Sequence, residues 1–216
     1  MKNAGFERNV FINCPYDDEY RTLLKPLLFT LRYCRLSPRI ASERLDSSEV
    51  RLHKIIEMIR ESKYSIHDLS RVKSSKKGEY YRLNMPLETG LDLGCKEFHS
   101  EDKYRDKKLL LLEGERYSIH KALSDLSGAD VKCHYHEAEK MVESVRSWLV
   151  EVGLPQIPGP NSIWYDFNDF NAGLYSDFSR NGFNAGQIEM LPMPEFLDYM
   201  DYWMEKHLED DGDSGA

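Results

Sequence analysis

Residues 9–18 have the sequence NVFINCPYDD, in which a short run without charges ends abruptly at a cysteine, a proline, a tyrosine and two aspartates. An apolar run that stops at turn-forming and acidic residues predicts a buried β-strand leading into a loop. We therefore place the first strand at Asn9–Asn13. Polar side chains gather in the loop that follows it.

Short apolar segments recur after this strand, and the five predicted strands cover residues 9–13, 39–42, 64–69, 107–112 and 130–135. Apolar residues at helical spacing separate them, and the predicted helices cover residues 20–34, 86–94 and 137–152. A further helix after residues 46–49 is predicted from Leu52, Ile55, Ile56 and Ile59. Pro26 is expected to start or kink the first helix. Ser37 and Pro38 are expected to break the chain before the second strand.

Strands that alternate with helices predict an α/β fold with three layers, in which helices cover both faces of a five-stranded, mostly parallel sheet. Ligand chemistry in such sheets lies at the carboxyl ends of the strands. The α/β domain is predicted over residues 1–154. An aromatic-rich C-terminal extension follows over residues 155–208, with an amphipathic helix at 194–208, and the acidic tail 209–216 is expected to be disordered.

The composition excludes several classes of partner. The chain has 37 acidic and 29 basic residues, for a net charge of −8, and a field of that sign disfavours nonspecific binding to nucleic acid. No apolar stretch is long enough to span a membrane, and the first ten residues do not resemble a signal peptide. A cytoplasmic protein without a membrane partner is the expectation.

Metal binding is not predicted. The four cysteines form no CxxC pair, so reduced thiols are expected. His134 and His136 would lie on one face of a strand and start a metal site only with a third ligand, which no residue supplies at a diagnostic spacing. The alternative is a pair of solvated histidines at a strand end.

Loops that follow the first three strands of a parallel sheet meet at one edge, and the helix near Pro86 should begin beside them. Glu88 is the candidate catalytic carboxylate there, with an ordinary carboxylate in the first helical turn as the alternative. The candidate substrate-binding residues are Asn13, Tyr16, Asp17, Arg44, Ser47, Asp68 and Asn84.

Several of these residues also have an alternative structural role. Asp17 is suited to capping the helix that follows, and Asp68 to ordering its loop instead of binding a ribose hydroxyl. Arg44 and Ser47 lie beside a predicted helix start, where exposed N–H groups either receive a cap or bind an anion, with Arg51 as a further source of positive charge.

Two stretches resemble the Toll/interleukin-1 receptor (TIR) domain family. VFINCPYDDEY is similar to its first-strand box, and LHKIIEMIRESKYSIHDLS to its amphipathic helix, serine and third strand. NMPLETGLDLG resembles the glutamate-bearing helix of bacterial TIR enzymes and the matching segment of nucleoside 2-deoxyribosyltransferases, which share a flavodoxin-like fold. The resemblance covers about residues 8–152.

The resemblance implies cleavage of an N-glycosidic bond, with Glu88 at the position of the catalytic glutamate. A carboxylate stabilises or captures the cationic sugar carbon that forms as the base leaves. Nicotinamide is a cationic leaving group that needs no proton, which favours NAD as the substrate, with no cofactor.

The sequence therefore predicts an NAD glycohydrolase or ADP-ribosyl cyclase, by analogy in bacterial antiphage defence, with homo-oligomers formed through the TIR-like domain or the extension. The alternatives are base exchange on nucleosides and a noncatalytic nucleotide-sensing or scaffolding module.

Overall fold

The computed structural model describes residues 5–43, 48–71, 83–126 and 128–208. These residues form two compact units that divide between Ile157 and Pro158. The sequence placed the boundary at 154/155, within the same proline-rich stretch. The predicted tail at 209–216 lies outside the described residues.

The first unit contains a five-stranded sheet in the order β2-β1-β3-β4-β5, with every neighbouring pair parallel. The strands are β1 (Asn9–Asn13), β2 (Ser37–Ile40), β3 (Tyr64–Asp68), β4 (Lys108–Glu113) and β5 (Val131–Cys133). This is the strand order of flavodoxin-like doubly wound sheets. The predicted α/β fold is confirmed.

The helices of this unit are α1 (Arg21–Tyr33), α2 (Arg51–Arg60), α3 (Asn84–Phe98), α4 (Asp102–Arg105), α5 (Ser118–Ala122) and α6 (Ala138–Glu151). The chain crosses from β1 to β2 in one direction and from β2 to β3 in the other. Right-handed crossovers therefore place α1 and α2 on opposite faces. In agreement, α1 packs against α6, and α2 packs against α3.

The second strand differs from its prediction. We expected Ser37 and Pro38 to break the chain and a strand at 39–42, but Pro38 lies inside β2 and residues 41–43 form a 3-10 turn. β2 is at the edge of the sheet, where a residue without an N–H is tolerated because one side of the strand has no partner.

The first helix agrees with its prediction within a residue at each end: α1 follows a 3-10 turn at Asp18–Tyr20, and Pro26 lies in its interior and not at its start. The third helix differs more. α3 begins two residues before Pro86 and continues four residues past Gly94. Gly94 costs about 1 kcal/mol in a helix interior, but Leu91 and Cys95 on either side of it pack against a buried cluster that contains Phe11, which favours continuation.

A chain of buried polar groups connects α3 to the sheet. His67 Nε2 lies 3.0 Å from Asp92 Oδ2, and Lys107 Nζ lies 3.1 Å from Asp92 Oδ1. All three residues are fully buried. Burial alone would raise the pKa of Asp92, but the hydrogen bond with His67 and the charge of Lys107 outweigh it and hold this pKa below its usual range.

Lys107 also donates to backbone carbonyls at the end of α2. Its Nζ lies 2.9 Å from the carbonyl oxygen of Ile59 and contacts that of Ser62 as well. A fully buried ammonium is stable only when it is paired and hydrogen bonded, and Lys107 has both kinds of partner. This residue therefore connects α2, α3 and the start of β4.

Replacing Lys107 by methionine is expected to destabilise the first unit by about 3–5 kcal/mol, because Asp92 would remain buried without its cation. Urea unfolding measures the change. Lys108→Met is the matched control, since Lys108 is the next residue and is exposed. Equal unfolding midpoints for the two variants would contradict the role assigned to the buried pair.

The second unit contains α7 (Pro160–Arg180), α8 (Ala185–Glu189) and α9 (Met193–Leu208). Phe170 is at the centre of its aromatic cluster, with ring centroids 5.6 Å from Phe196 and 5.8 Å from Trp203. The predicted aromatic helix at 194–208 corresponds to α9.

No helix in the described part of the chain combines the length and the sustained apolar character that a bilayer crossing needs.

Candidate functional site

The strand order reverses between β1 and β3, which makes the carboxyl ends of these two strands the expected position of a ligand crevice. β1 ends at Asn13, whose side chain is buried. Its amide Nδ2 donates to the carbonyl oxygen of Met85 at 2.8 Å and lies 3.1 Å from His67 Nδ1. Both amide hydrogens are thus used within the protein, so Asn13 positions the start of α3 over the strand ends.

Glu88 lies in the second turn of α3, and its side chain is close to fully buried, with a residue exposure of 7%. It makes no hydrogen bond or ion pair with another described residue. Burial raises the pKa of Glu88 to about 7, although the positive charge of Arg51 acts in the opposite direction. Glu88 is therefore not a first-turn carboxylate, since the first turn of α3 contains no acidic residue, and burial shifts its pKa in the direction opposite to a helix dipole.

Two residues from other elements, Arg51 and Cys14, lie near enough for charges to act between them and this carboxyl, and Tyr16 contacts one of them. Arg51, the first residue of α2, places its guanidinium carbon 5.6 Å from the ring centroid of Tyr16, which is 40% exposed. Cys14 follows β1 and is buried; burial first, and the charges of Asp68 and Glu88 next, raise the pKa of its thiol well above the usual range. Tyr16 therefore contacts Arg51, and the charge of Arg51 acts on Glu88.

Asp17 has a structural role that the sequence offered as an alternative. Its Oδ1 accepts from the backbone N–H of Tyr20 at 2.9 Å and lies 3.1 Å from a guanidinium nitrogen of Arg71. The capping role is confirmed. Arg71 also lies 3.0 Å from Glu19, so it holds the loops after β1 and β3 together.

Asp68 is fully buried and has protein partners on both carboxylate oxygens. Oδ2 accepts from the Tyr20 hydroxyl at 2.5 Å and lies 3.0 Å from His134 Nε2, while Oδ1 accepts from the N–H of Ser70 at 2.8 Å. Burial alone would raise its pKa, but the bonds from His134, Ser70 and Tyr20 lower it. This geometry favours the loop-ordering role over contact with a ribose.

Both ring nitrogens of His134 also lie within contact distance of protein groups. Its Nδ1 accepts from the N–H of His136 at 3.0 Å, which leaves Nε2 as the protonated nitrogen that faces Asp68. The ring of His136 is nearly perpendicular to it. Within the described ranges, no three His, Cys, Asp or Glu side chains are grouped so that they could hold a metal ion.

Of the remaining predicted site residues, one is exposed at the start of α3 and two lie outside the described residues. Asn84 is exposed at the first position of α3, four residues before Glu88 and so on the same helix face. Arg44 and Ser47 lie outside the described residues.

A second cleft, of about 700 Å³, lies beside the edge strand β5 between α5 and α6. Its lining includes Arg116, Tyr117, His120 and Tyr135. None of the predicted site residues lines this cleft.

The sequence did not identify the residues that hydrogen bond to the site residues and fix their positions. Asp92 and Tyr20 lie on helical segments whose spacing gives no sign of contact with β3. His67 is fully buried, and no pattern in the sequence indicates its contact with Asp92. One signal was available: an aspartate within the otherwise apolar segment GLDLG needs a buried partner if it faces the sheet.

The arrangement provides a carboxyl group that is partly protonated and partly ionised near neutral pH. Such a group serves as an acid or as a base, or stabilises a positive charge that forms beside it. Buried carboxyls without protein partners are typical of functional sites, because nothing in the fold itself satisfies them.

Comparison with known protein families, curated proteins and solved structures finds no match to this chain. The resemblance to TIR domains stays a prediction carried by the motifs quoted above.

Glu88→Gln is expected to stabilise the protein at alkaline pH. In the unfolded chain the carboxyl ionises near pH 4.5, and in the folded protein near 7, so stability is lost as pH rises between these values. A difference of this size is worth up to about 3 kcal/mol. Glutamine stays neutral, so the variant should gain stability over the original at pH 8.5 and show little difference at pH 4.

Thermal and urea unfolding at both pH values measure this gain. Glu97→Gln is the control, because Glu97 lies on the same helix and is exposed. If Glu88→Gln gains nothing at pH 8.5 relative to pH 4, the carboxyl does not carry a raised pKa.

Proposed function

We propose that the protein cleaves the N-glycosidic bond between the ribose and the nicotinamide of NAD, as a glycohydrolase or ADP-ribosyl cyclase. The observation that supports this most is the buried, unpartnered carboxyl of Glu88 beside the carboxyl ends of β1 and β3. The reaction class comes from the TIR resemblance, in which Glu88 matches the catalytic glutamate.

The bond between C1′ of the ribose and the ring nitrogen breaks, and its electron pair leaves with nicotinamide, which becomes neutral. Positive charge develops on C1′ and is stabilised by the Glu88 carboxylate or captured by it. Water then adds to C1′ and releases a proton, giving ADP-ribose; attack by a nitrogen of the adenine gives a cyclic product instead.

Glu88 has no ion-pair partner among the described residues, and this favours its interaction with a cationic sugar. A carboxylate already paired with a lysine or arginine, as Asp92 is with Lys107, has less to offer a cationic sugar. The positive nicotinamide ring would lower the pKa of Glu88 as NAD binds. The substrate itself would then favour the ionised form of the carboxyl that the reaction requires.

Purified protein incubated with NAD is expected to release nicotinamide, and Glu88→Gln to lower kcat by about 100-fold or more, the order seen when a preorganised electrostatic group is lost. Glu97→Gln should leave kcat unchanged.

The value of kcat/KM should rise with pH through about 7, because the carboxylate is the reactive form. Among the described residues, Arg51 and Cys14 are the other charged or titratable groups that interact electrostatically with Glu88.

Chromatography of the products measures both effects. Release that is undiminished in Glu88→Gln would remove this residue from the mechanism. No release by the original protein, at dilute concentrations or at those where it associates, would contradict the proposal. Saturable binding of NAD without turnover would point to the nucleotide-sensing module.

Base exchange on nucleosides is the second candidate, and the pKa near 7 favours it as well. A neutral nucleobase needs a proton as it leaves, and the protonated Glu88 carboxyl is suited to donate one. Thymidine and adenine would then give deoxyadenosine and thymine. The rate should fall as pH rises above about 7, which is the opposite slope from NAD cleavage; no exchange at pH 5–6 would exclude this candidate.

A role in antiphage defence, a cytoplasmic location and assembly through either unit belong to the same proposal. They are supported by the family resemblance and by the composition of the chain.

A further inference from the structure

Arg51 is a cation without a carboxylate partner. It is exposed at the first position of α2, and its guanidinium lies over the ring of Tyr16. No ion pair joins it to another described residue. A guanidinium held over an aromatic ring keeps its N–H donors at the edge, where they are free to bind a planar or tetrahedral anion.

The start of α2 adds further donors. The preceding residue, Val50, has no side chain that caps the helix, and the first turn contains no acidic residue. The first hydrogen bond of the helix is from Lys54 to Val50. The N–H groups of residues 51–53 therefore lack acceptors among the described residues, and the helix dipole adds partial positive charge.

Glu88 is the second, independent observation at this place. It is more than nine-tenths buried, makes no described hydrogen bond, and lies close enough for the charge of Arg51 to act on its carboxyl. A buried polar group without a partner is costly unless a ligand satisfies it. A carboxyl without a described partner and a helix start without a described acceptor are thus linked through Arg51, whose charge acts on Glu88.

We infer that the first turn of α2, together with Arg51, binds the phosphate of a ribosyl substrate whose sugar carbon faces Glu88, so that the site takes nucleotides and not unphosphorylated nucleosides. This inference rests on the proposed function and adds the substrate class. Arg51 is a binding residue here: it holds the phosphate, and the bond that breaks lies beside Glu88.

ADP-ribose is the probe that separates binding from cleavage, since its nicotinamide is already absent. Calorimetry on the full chain is expected to show saturable binding, weakened about 10- to 100-fold in Arg51→Ala, as for the loss of hydrogen bonds between charged groups. Arg51→Lys should retain part of the affinity. Arg60→Ala, at the other end of α2, is the matched control and should bind as the original does.

Adenosine, which has no phosphate, should bind weakly to the original protein and to Arg51→Ala alike. In turnover, NAD and nicotinamide mononucleotide should have at least about tenfold higher kcat/KM than nicotinamide riboside, mainly through KM. Arg51→Ala should remove that preference. Circular dichroism confirms that each variant is folded.

The two proposals fail differently. Equal affinity of Arg51→Ala and the original for ADP-ribose, or no binding of ADP-ribose at all, would overturn the phosphate site. Equal kcat/KM for NAD and nicotinamide riboside would also overturn it while leaving glycosidic cleavage intact. Binding of ADP-ribose that depends on Arg51, without release of nicotinamide from NAD, would support the phosphate site and refute the catalytic proposal.

Discussion

The amide of Asn13 determines where the candidate site lies. It donates from the end of β1 to the first turn of α3 and to His67 on β3, and His67 continues the connection to Asp92 and Lys107. These groups are buried, so each bond is made in a low-dielectric interior, where an unmade bond is costly. The position of Glu88 on α3 follows from this connection, because a helix held at its first and third turns has little freedom to shift.

Three buried acids, Asp68, Asp92 and Glu88, differ in their hydrogen-bond partners and in the direction of their pKa shifts. Asp68 accepts from Tyr20 and the N–H of Ser70 and lies beside His134, whereas Asp92 lies between His67 and Lys107. The pKa values of both acids lie below the usual range. Glu88 has no such partners, and its pKa is raised. The first two acids order loops and helices, whereas Glu88 has no such role among the described residues. Burial is common to all three acids, so the donors and cations around each carboxyl separate Asp68 and Asp92 from Glu88.

Much of the fold was predictable because strands and helices leave different periodicities in the sequence. β1 and β3 were located within a residue of their observed ends, and α6 within a residue at each end. Pro38 and Gly94 misled the prediction, because both residues usually interrupt regular structure. An edge position makes Pro38 harmless, and packing of α3 against the core outweighs the cost of Gly94. Neither circumstance is encoded near those residues.

The sequence by itself determined the alternation of strands and helices, and hence the edge of the sheet at which β1 and β3 end. It also determined that Asp17 caps the turn after β1, since a cap depends only on residues three positions apart. Only the tertiary structure decided which of the three buried carboxyls has no hydrogen-bond partner among the described residues. Whether an acid receives donors depends on residues 48 to 66 positions away, as with Tyr20 and His134 at Asp68, and desolvation depends on the packing of the whole unit, which no local pattern records.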